Sequence, residues 1–211
     1  MGKLVGGPFG QLSGKTGDLV GSSWKGISTI KRYQPNVSNP QTAGQVAQRG
    51  KMSNIVAFAQ SILASIIKPL WDRFQSGMSG YNAFVSRNID LFQDALPSVF
   101  DDLVTSSGKM DATQIATAAA DAAYTSVQVT WLNDAGQGFK LATDKVYLVV
   151  INETKGLVKG FASAAVRSDS QVLCEMGVAA TLGDVYHIYL SFLRADGSIV
   201  SVNSYTSVVS G

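Results

Sequence analysis

A chain of 211 residues is long enough for one large domain, or for a small one with an extended region attached. Hydrophobic residues make up 45%, so a core can form, while charged residues are only 15%, below the usual quarter or so. The net charge is +2, and a single cysteine, Cys174, excludes an internal disulfide.

Small residues fill the space left by the missing charges, and a quiet surface of this kind suits a protein that packs against copies of itself. The net charge hides an asymmetry. Residues 1–55 hold seven basic side chains and one acid, a net +6, and the remainder holds ten basic and fourteen acidic, a net −4. Such polarity steers head-to-tail association or draws the basic end to a polyanion. Residues 4–12, LVGGPFGQL, are too Gly-rich for a signal-peptide core. The apolar stretch 55–67 is too short for a bilayer span, which takes about 20 residues. The chain is expected to fold in a cytoplasm without a membrane partner.

Residues 1–40 read as an extended glycine-rich arm with strand character and too few large apolar residues to fold alone. Within 18–30, strict alternation along one strand puts Trp24 and Ile30 on one face and Ile27 on the other. An arm with strand propensity and no local core needs a partner, either its own C-terminal domain or a neighbouring subunit. The expected interface residues are Trp24, Lys25, Ile27, Ile30, Lys31 and Arg32.

Residues 41–95 read as a helical hairpin. Asn39-Pro40 ends the extended segment, and Thr42 with Gln45 forms a capping box. Val46, Ile55, Phe58, Ile62 and Ile66 mark the buried stripe of a helix that runs to about residue 67 and breaks at Lys68-Pro69. A second helix is expected over 81–92. Residues 96–123 read as a linker, with an Ala-rich run at 116–123 of helical composition. Residues 124–211 carry short strands near 124–132, 145–152, 158–166, 171–176, 184–194 and 199–205. In the longest, Val185, His187 and Tyr189 face one way, and Tyr186, Ile188, Leu190 and Phe192 the other. Strands at intervals of roughly ten residues point to an antiparallel β-sandwich of immunoglobulin or fibronectin type. The fold class is therefore α+β.

Gly14-Lys15-Thr16-Gly17, Val20-Gly21 and Trp24-Lys25-Gly26 resemble the opening of a Bacteroidetes-associated family of unknown function. Asn39-Pro40-Gln41-Thr42 with Gln45, Gln48 and Arg49 is similar to the segment that follows it. Residues 186–192, Ala195-Asp196-Gly197 and Ser204-Tyr205 resemble its terminal strands. Ala43 departs from it, standing where the family has Pro. The resemblance implies one module across the chain and an association with phage or prophage particles, and it brings no catalytic residues.

The residues offer little chemistry. Ser13-Gly14-Lys15-Thr16 invites a P-loop reading, but Phe9 stands where the first glycine belongs and Gly17-Asp18 opens no helix. His187 is the only histidine, and triads and most zinc sites need it paired in fixed geometry. Asp134, Asp144 and Asp196 fall in turns without calcium-loop spacing. No cofactor or metal is expected. Trp24, Tyr33, Lys25, Lys31 and Arg32 are compatible with nucleic acid, but packing of Trp24 into a groove is favoured because no nucleic-acid-binding fold accompanies them. The leading expectation is a non-catalytic structural protein of a phage virion, a homo-oligomer or a partner of other particle proteins. The alternative is a binding module whose sandwich loops contact a cell-surface glycan or protein.

Overall fold

The structure is a computed structural model describing residues 13–36, 39–120 and 125–211, together with the strand pairing of residues 2–4. It is a mixed α+β protein of three α-helices and several antiparallel sheets. The chain divides into two units, residues 1–42 and 43–211.

The first unit is a four-stranded antiparallel sheet in the order β1-β4-β3-β2, from β1 (Gly2–Leu4), β2 (Gly14–Thr16), β3 (Leu19–Trp24) and β4 (Ile27–Arg32). The remaining residues of the expected arm, 1, 5–12 and 37–38, lie outside the described residues.

The second unit has three layers. Helix α1 (Ala43–Ser61) meets a π-helical turn at Leu63–Ile67 and then the short α2 (Lys68–Trp71). The expected break at Lys68-Pro69 lies elsewhere. Pro69 sits in the first turn of α2, where its missing N–H costs nothing. The 69° bend falls at Ile62, whose carbonyl accepts from both Ile66 N (2.9 Å) and Ile67 N (3.2 Å), the widened turn of a π-bulge. Among the described residues no single helix is long and apolar enough to cross a membrane. α3 (Gly80–Asn88) is capped by Ser79 Oγ, which accepts from Asn82 N at 3.2 Å. A 3-10 turn, Ile89–Leu91, follows it.

Beneath the helices lies a four-stranded sheet in the order β11-β10-β7-β8, and beneath that a three-stranded sheet, β5-β6-β9. The strands are β5 (Ile115–Ala120), β6 (Ser126–Trp131), β7 (Lys145–Asn152), β8 (Leu157–Phe161), β9 (Gln171–Glu175), β10 (Val185–Leu193) and β11 (Ser204–Val209). Two apolar cores result. Tyr147, Val149, Ile151, Tyr189 and Leu193 pack against Ile55, Ile62, Ile66, Trp71 and Phe84 of the helices. The alternate residues Val146, Leu148, Val150, Ile188, Leu190 and Phe192 pack against Val127, Val129, Trp131 and Cys174 of the other sheet. β7 and β10 are covered on both faces, so they read as nearly unbroken apolar runs rather than alternating ones.

Residues 96–123 differ from the expected linker. Leu103, Thr105 and Ser106 are buried. The Asn88 side chain accepts from Val104 N (2.9 Å) and donates to Val104 O (3.1 Å). Trp71 Nε1 donates to Thr105 O at 2.8 Å. At Gly108 a Cβ would sit 2.0 Å from Val200 O, so only glycine passes. The Ala-rich run forms β5 rather than a helix: Ala118 and Ala120 pair with Val129 and Val127 of β6, and tertiary pairing overrides alanine's helix propensity. Residues 121–124 lie outside the described residues.

Candidate assembly interface

β3 and β4 form a hairpin whose turn is Lys25-Gly26. Both residues have positive φ, 45° and 79°, the combination that matches a two-residue turn to strand twist. Glycine adopts it freely, whereas at Lys25 it costs about 1 kcal/mol. The turn sets the register Trp24↔Ile27, Ser22↔Thr29 and Gly21↔Ile30. Directly opposed residues point the same way, so Trp24, Ile27, Ser22, Thr29, Val20 and Lys31 share a face, and the Ser22 and Thr29 hydroxyls lie 2.8 Å apart. Lys15 pairs with Val20 and adds to this face, with its Nζ 3.6 Å from the centre of the Tyr33 ring.

The expectation of one strand through residues 18–30 is thereby corrected. The chain reverses at Lys25-Gly26, which sets Trp24 beside Ile27 and turns Ile30 and Arg32 to the other face. Of the six expected interface residues, Trp24, Ile27 and Lys31 share one face and Lys25 occupies the tip. Trp24 is 66% exposed and Ile27 48%, so Trp24 displays its ring rather than burying it. Gly14-Lys15-Thr16 is strand β2, not the entry to a helix.

The second notable surface lies at one end of the 43–211 unit. The loop 132–144 between β6 and β7 is held from inside by Arg167, which is fully buried. Its guanidinium donates to Asp134 Oδ1 (2.5 Å), Asp144 Oδ2 (3.2 Å) and Thr113 Oγ1 (2.5 Å) and lies 3.8 Å from the centre of the Phe192 ring. Lys140 Nζ donates to the other Asp134 oxygen at 2.5 Å and to Ala112 O at 3.0 Å. Burial opposes ionisation of Asp134, but hydrogen bonds from Lys140 and Thr113 and the Arg167 charge outweigh it and hold its carboxyl below the usual range. The turn aspartates are thus engaged: Asp134 and Asp144 by cations, and Asp196 by Ser198 N at 2.8 Å. Among the described residues no group of three or more His, Cys, Asp or Glu side chains could hold a metal ion.

The same loop displays Phe139, 54% exposed, with its carbonyl accepting from Arg194 Nη2 at 2.8 Å. Phe139 lines an open cleft of about 460 Å³, with Phe74, Ile199 and Val200 as its other apolar walls and Ser107 and Lys109 at its rim. Arg167 and Phe139 carried no signal in the sequence: an isolated arginine and an isolated loop aromatic look like any others until the fold brings their neighbours together.

His187 lies on the helix-side face of β10. Its Nε2 is 3.0 Å from Glu153 Oε2 and its Nδ1 2.9 Å from the Tyr205 hydroxyl. Cys174 faces the core between the sheets, and burial pushes its thiol up to about 12.

Among solved structures, the chain is similar to the chicken CNTN1 FN1–FN3 domains, at 7% identity and a TM-score of 0.33 over 50% of this chain and 34% of that one. It is also similar to a β-1,2-glucanase from Parabacteroides distasonis, at 11% identity and a TM-score of 0.32 over 55% of this chain and 14% of that one. The matched part is about a third or less of either relative's length. No curated protein matches the chain. A family model described as a family of unknown function (DUF6266) matches residues 11–207. That match takes in β2 to β10, all three helices and most of β11, and the protein therefore belongs to the family of unknown function DUF6266.

Proposed function

We propose that this chain is a non-catalytic structural protein that assembles through its N-terminal sheet, with copies of itself or with other particle proteins, as a component of a phage virion put together in the host cytoplasm. The observation that carries the reading is that, among the described residues, neither apolar core contains one before Ile55. Trp24, Ile27 and Tyr33 of the β1–β4 sheet are exposed, while Gly21 and Ser28 on its opposite face are buried. An exposed aromatic at a hairpin tip is the kind of residue that anchors protein interfaces. The charge polarity supports the same reading. Residues 1–42 hold five basic side chains and one acid, a net +4, and residues 43–211 hold twelve and fourteen, a net −2.

The strand order β5-β6-β9 against β11-β10-β7-β8 favours a fibronectin-type sandwich, with the helices added on its four-stranded face. Nucleic acid ranks behind protein as the partner, because Lys15 and Lys31 lie on one face of the sheet, Arg32 on the other and Lys25 at the tip, so the basic residues do not line one groove. The deciding experiment is the native mass of the purified chain by light scattering across a hundredfold range of concentration, with a test for copurification with particles. Growth of mass with concentration supports assembly. A monomer throughout, absent from particles, refutes it.

A further inference from the structure

We infer that the cleft beside Phe139 is a binding site for a small organic anion, an aromatic or branched apolar body that carries one carboxylate. All of its parts belong to residues 43–211, so the site does not depend on the assembly reading above.

The cleft joins an apolar interior to a cationic mouth. Its walls come from Phe74, from Phe139, and from Ile199 with Val200, in about 460 Å³. That volume lies within the roughly 300–1,000 Å³ of small-molecule sites, and the two phenyl rings suit a flat aromatic body. Lys109 lines the same cleft. Arg73 precedes Phe74, and its guanidinium lies against Gly197, where a Cβ would come 2.4 Å from Nη1. Arg194 Nη2 donates to the Phe139 carbonyl at 2.8 Å, while its Nε is buried without a partner. No salt bridge among the described residues uses any of these three cations. One acid, Asp196, stands beside them, and its carboxyl is held low first by hydrogen bonds from Ser198 and then by the Arg194 and Arg73 charges. Three cations against one acid leave the mouth positive, which opposes a cationic occupant and draws an anion.

The hydrogen-bonding groups narrow the class further. Ammonium and guanidinium groups only donate, and a carboxylate only accepts. A neutral sugar brings donors of its own, which Lys109 and Arg194 cannot receive. The Ser107 and Ser198 hydroxyls also line the cleft and add two more donors. The frame is ordered before anything binds. Met110 N donates to Val200 O at 3.1 Å and Val202 N to Met110 O at 2.9 Å, which fixes the backbone that carries Lys109. Lys140 and Arg167 hold the Phe139 loop through Asp134. A site ordered in advance loses little freedom when it is filled.

The probe is 1-anilinonaphthalene-8-sulfonate, an aromatic body with one anionic group that fluoresces in apolar surroundings. The full chain should bind it saturably, and added salt should weaken the binding. Lys109→Glu should weaken it roughly fivefold, as a reversed charge at an exposed rim, and Phe139→Ala at least about tenfold, as a lost apolar wall. Both positions are exposed, so far-UV circular dichroism and urea unfolding of the variants should match wild type. 3-Phenylpropionate should displace the dye, whereas 3-phenylpropionamide and 3-phenylpropylamine, the same body made neutral or cationic, should not. If the amide or the amine competes as well as the acid, the charges select nothing and the inference is overturned. It is overturned too if the dye does not saturate. The same holds if Trp24→Ala abolishes the signal while Lys109→Glu and Phe139→Ala leave it intact, which would put the dye on the hairpin. A chain that stays monomeric at every concentration refutes the assembly reading and leaves the dye binding unaffected.

Discussion

The imidazole of His187 lies flat on the ring of Phe100, with centroids 3.6 Å apart and planes 1° from parallel. Phe100 belongs to the crossover that carries the chain from the helices to the sheets. Its carbonyl accepts from the Tyr189 hydroxyl at 2.6 Å, while both His187 nitrogens are occupied by Glu153 and Tyr205. The only histidine of the chain therefore clamps the crossover to the outer face of β10.

Replacing Phe100 with alanine removes that stack and should cost about 2 kcal/mol, below the 3–5 typical of a fully buried phenylalanine because this ring is half-buried. A double-mutant cycle with His187→Ala, read by urea unfolding, should give a coupling of about 0.5–1.5 kcal/mol. Strict additivity would mean that the stacked geometry adds nothing beyond burial.

Arg167 invites a sharper test. Its replacement by methionine roughly keeps the volume but removes the cation facing Asp144, whose Oδ1 already lacks a partner, and leaves Asp134 with Lys140 alone. Losing one partner of a buried ionic cluster typically costs about 3–5 kcal/mol. Removing the acids as well, in the triple variant with Asp134→Asn and Asp144→Asn, should return part of that loss, because amides tolerate burial better than carboxylates. If the single variant unfolds at the wild-type urea concentration, the cluster is decoration.

Acid sensitivity follows from Asp184 and Asp134, two carboxyls that ion pairs hold low. Asp184 is held well below its ordinary value, first by the Lys155 ammonium at 2.8 Å and then by Thr181 N at 2.9 Å. Asp134 is held low by Lys140, Thr113 and Arg167 against its own burial. A carboxyl depressed in the folded state stabilises the fold at every pH above its unfolded value of about 3.9 and ceases to do so as pH falls toward the folded value. Thermal stability should therefore drop steeply below about pH 4. In Asp184→Asn that slope should be shallower and the stability at neutral pH lower. An unchanged acid slope in the variant would remove Asp184 from the account.

The layered second unit was partly legible in the sequence. The alternation of residues 185–192 assigns Val185, His187 and Tyr189 to one face and Tyr186, Ile188, Leu190 and Phe192 to the other, and the structure puts Tyr189 in the helix-side core, with His187 stacked on Phe100 beside it, and the second set in the core between the sheets. What escaped were features set by partners distant along the chain. Ala116–Ala120 pairs with β6 because Val127 and Val129 offer it an edge and a core, which alanine composition does not announce. The bend at Ile62 depends on packing above the sheet rather than on Pro69. In the arm, the clue was present and local. Gly26 after Lys25, with short apolar-containing runs on both sides, marks a hairpin, and reading through it as one strand reversed the relation between Trp24 and Ile30. Phe139 was invisible as a cleft wall because its companions Phe74, Ile199 and Val200 come from three other segments.

Removal of residues 1–38 separates the role of the arm from the stability of the rest. Among the described residues both apolar cores draw only on those from Ile55 onward, and the unit that begins at residue 43 is compact by itself. The truncated chain should therefore keep a cooperative thermal transition, with its midpoint within a few degrees of the full chain, since no more than about 1 kcal/mol is at stake for surface contacts. It should lose concentration-dependent association, because Trp24 and Ile27 go with the arm. Normal association of the truncated chain would move the interface to residues 43–211. A lost unfolding transition would mean that the sheet is part of the same cooperative fold, and the charge polarity would then describe one body rather than two.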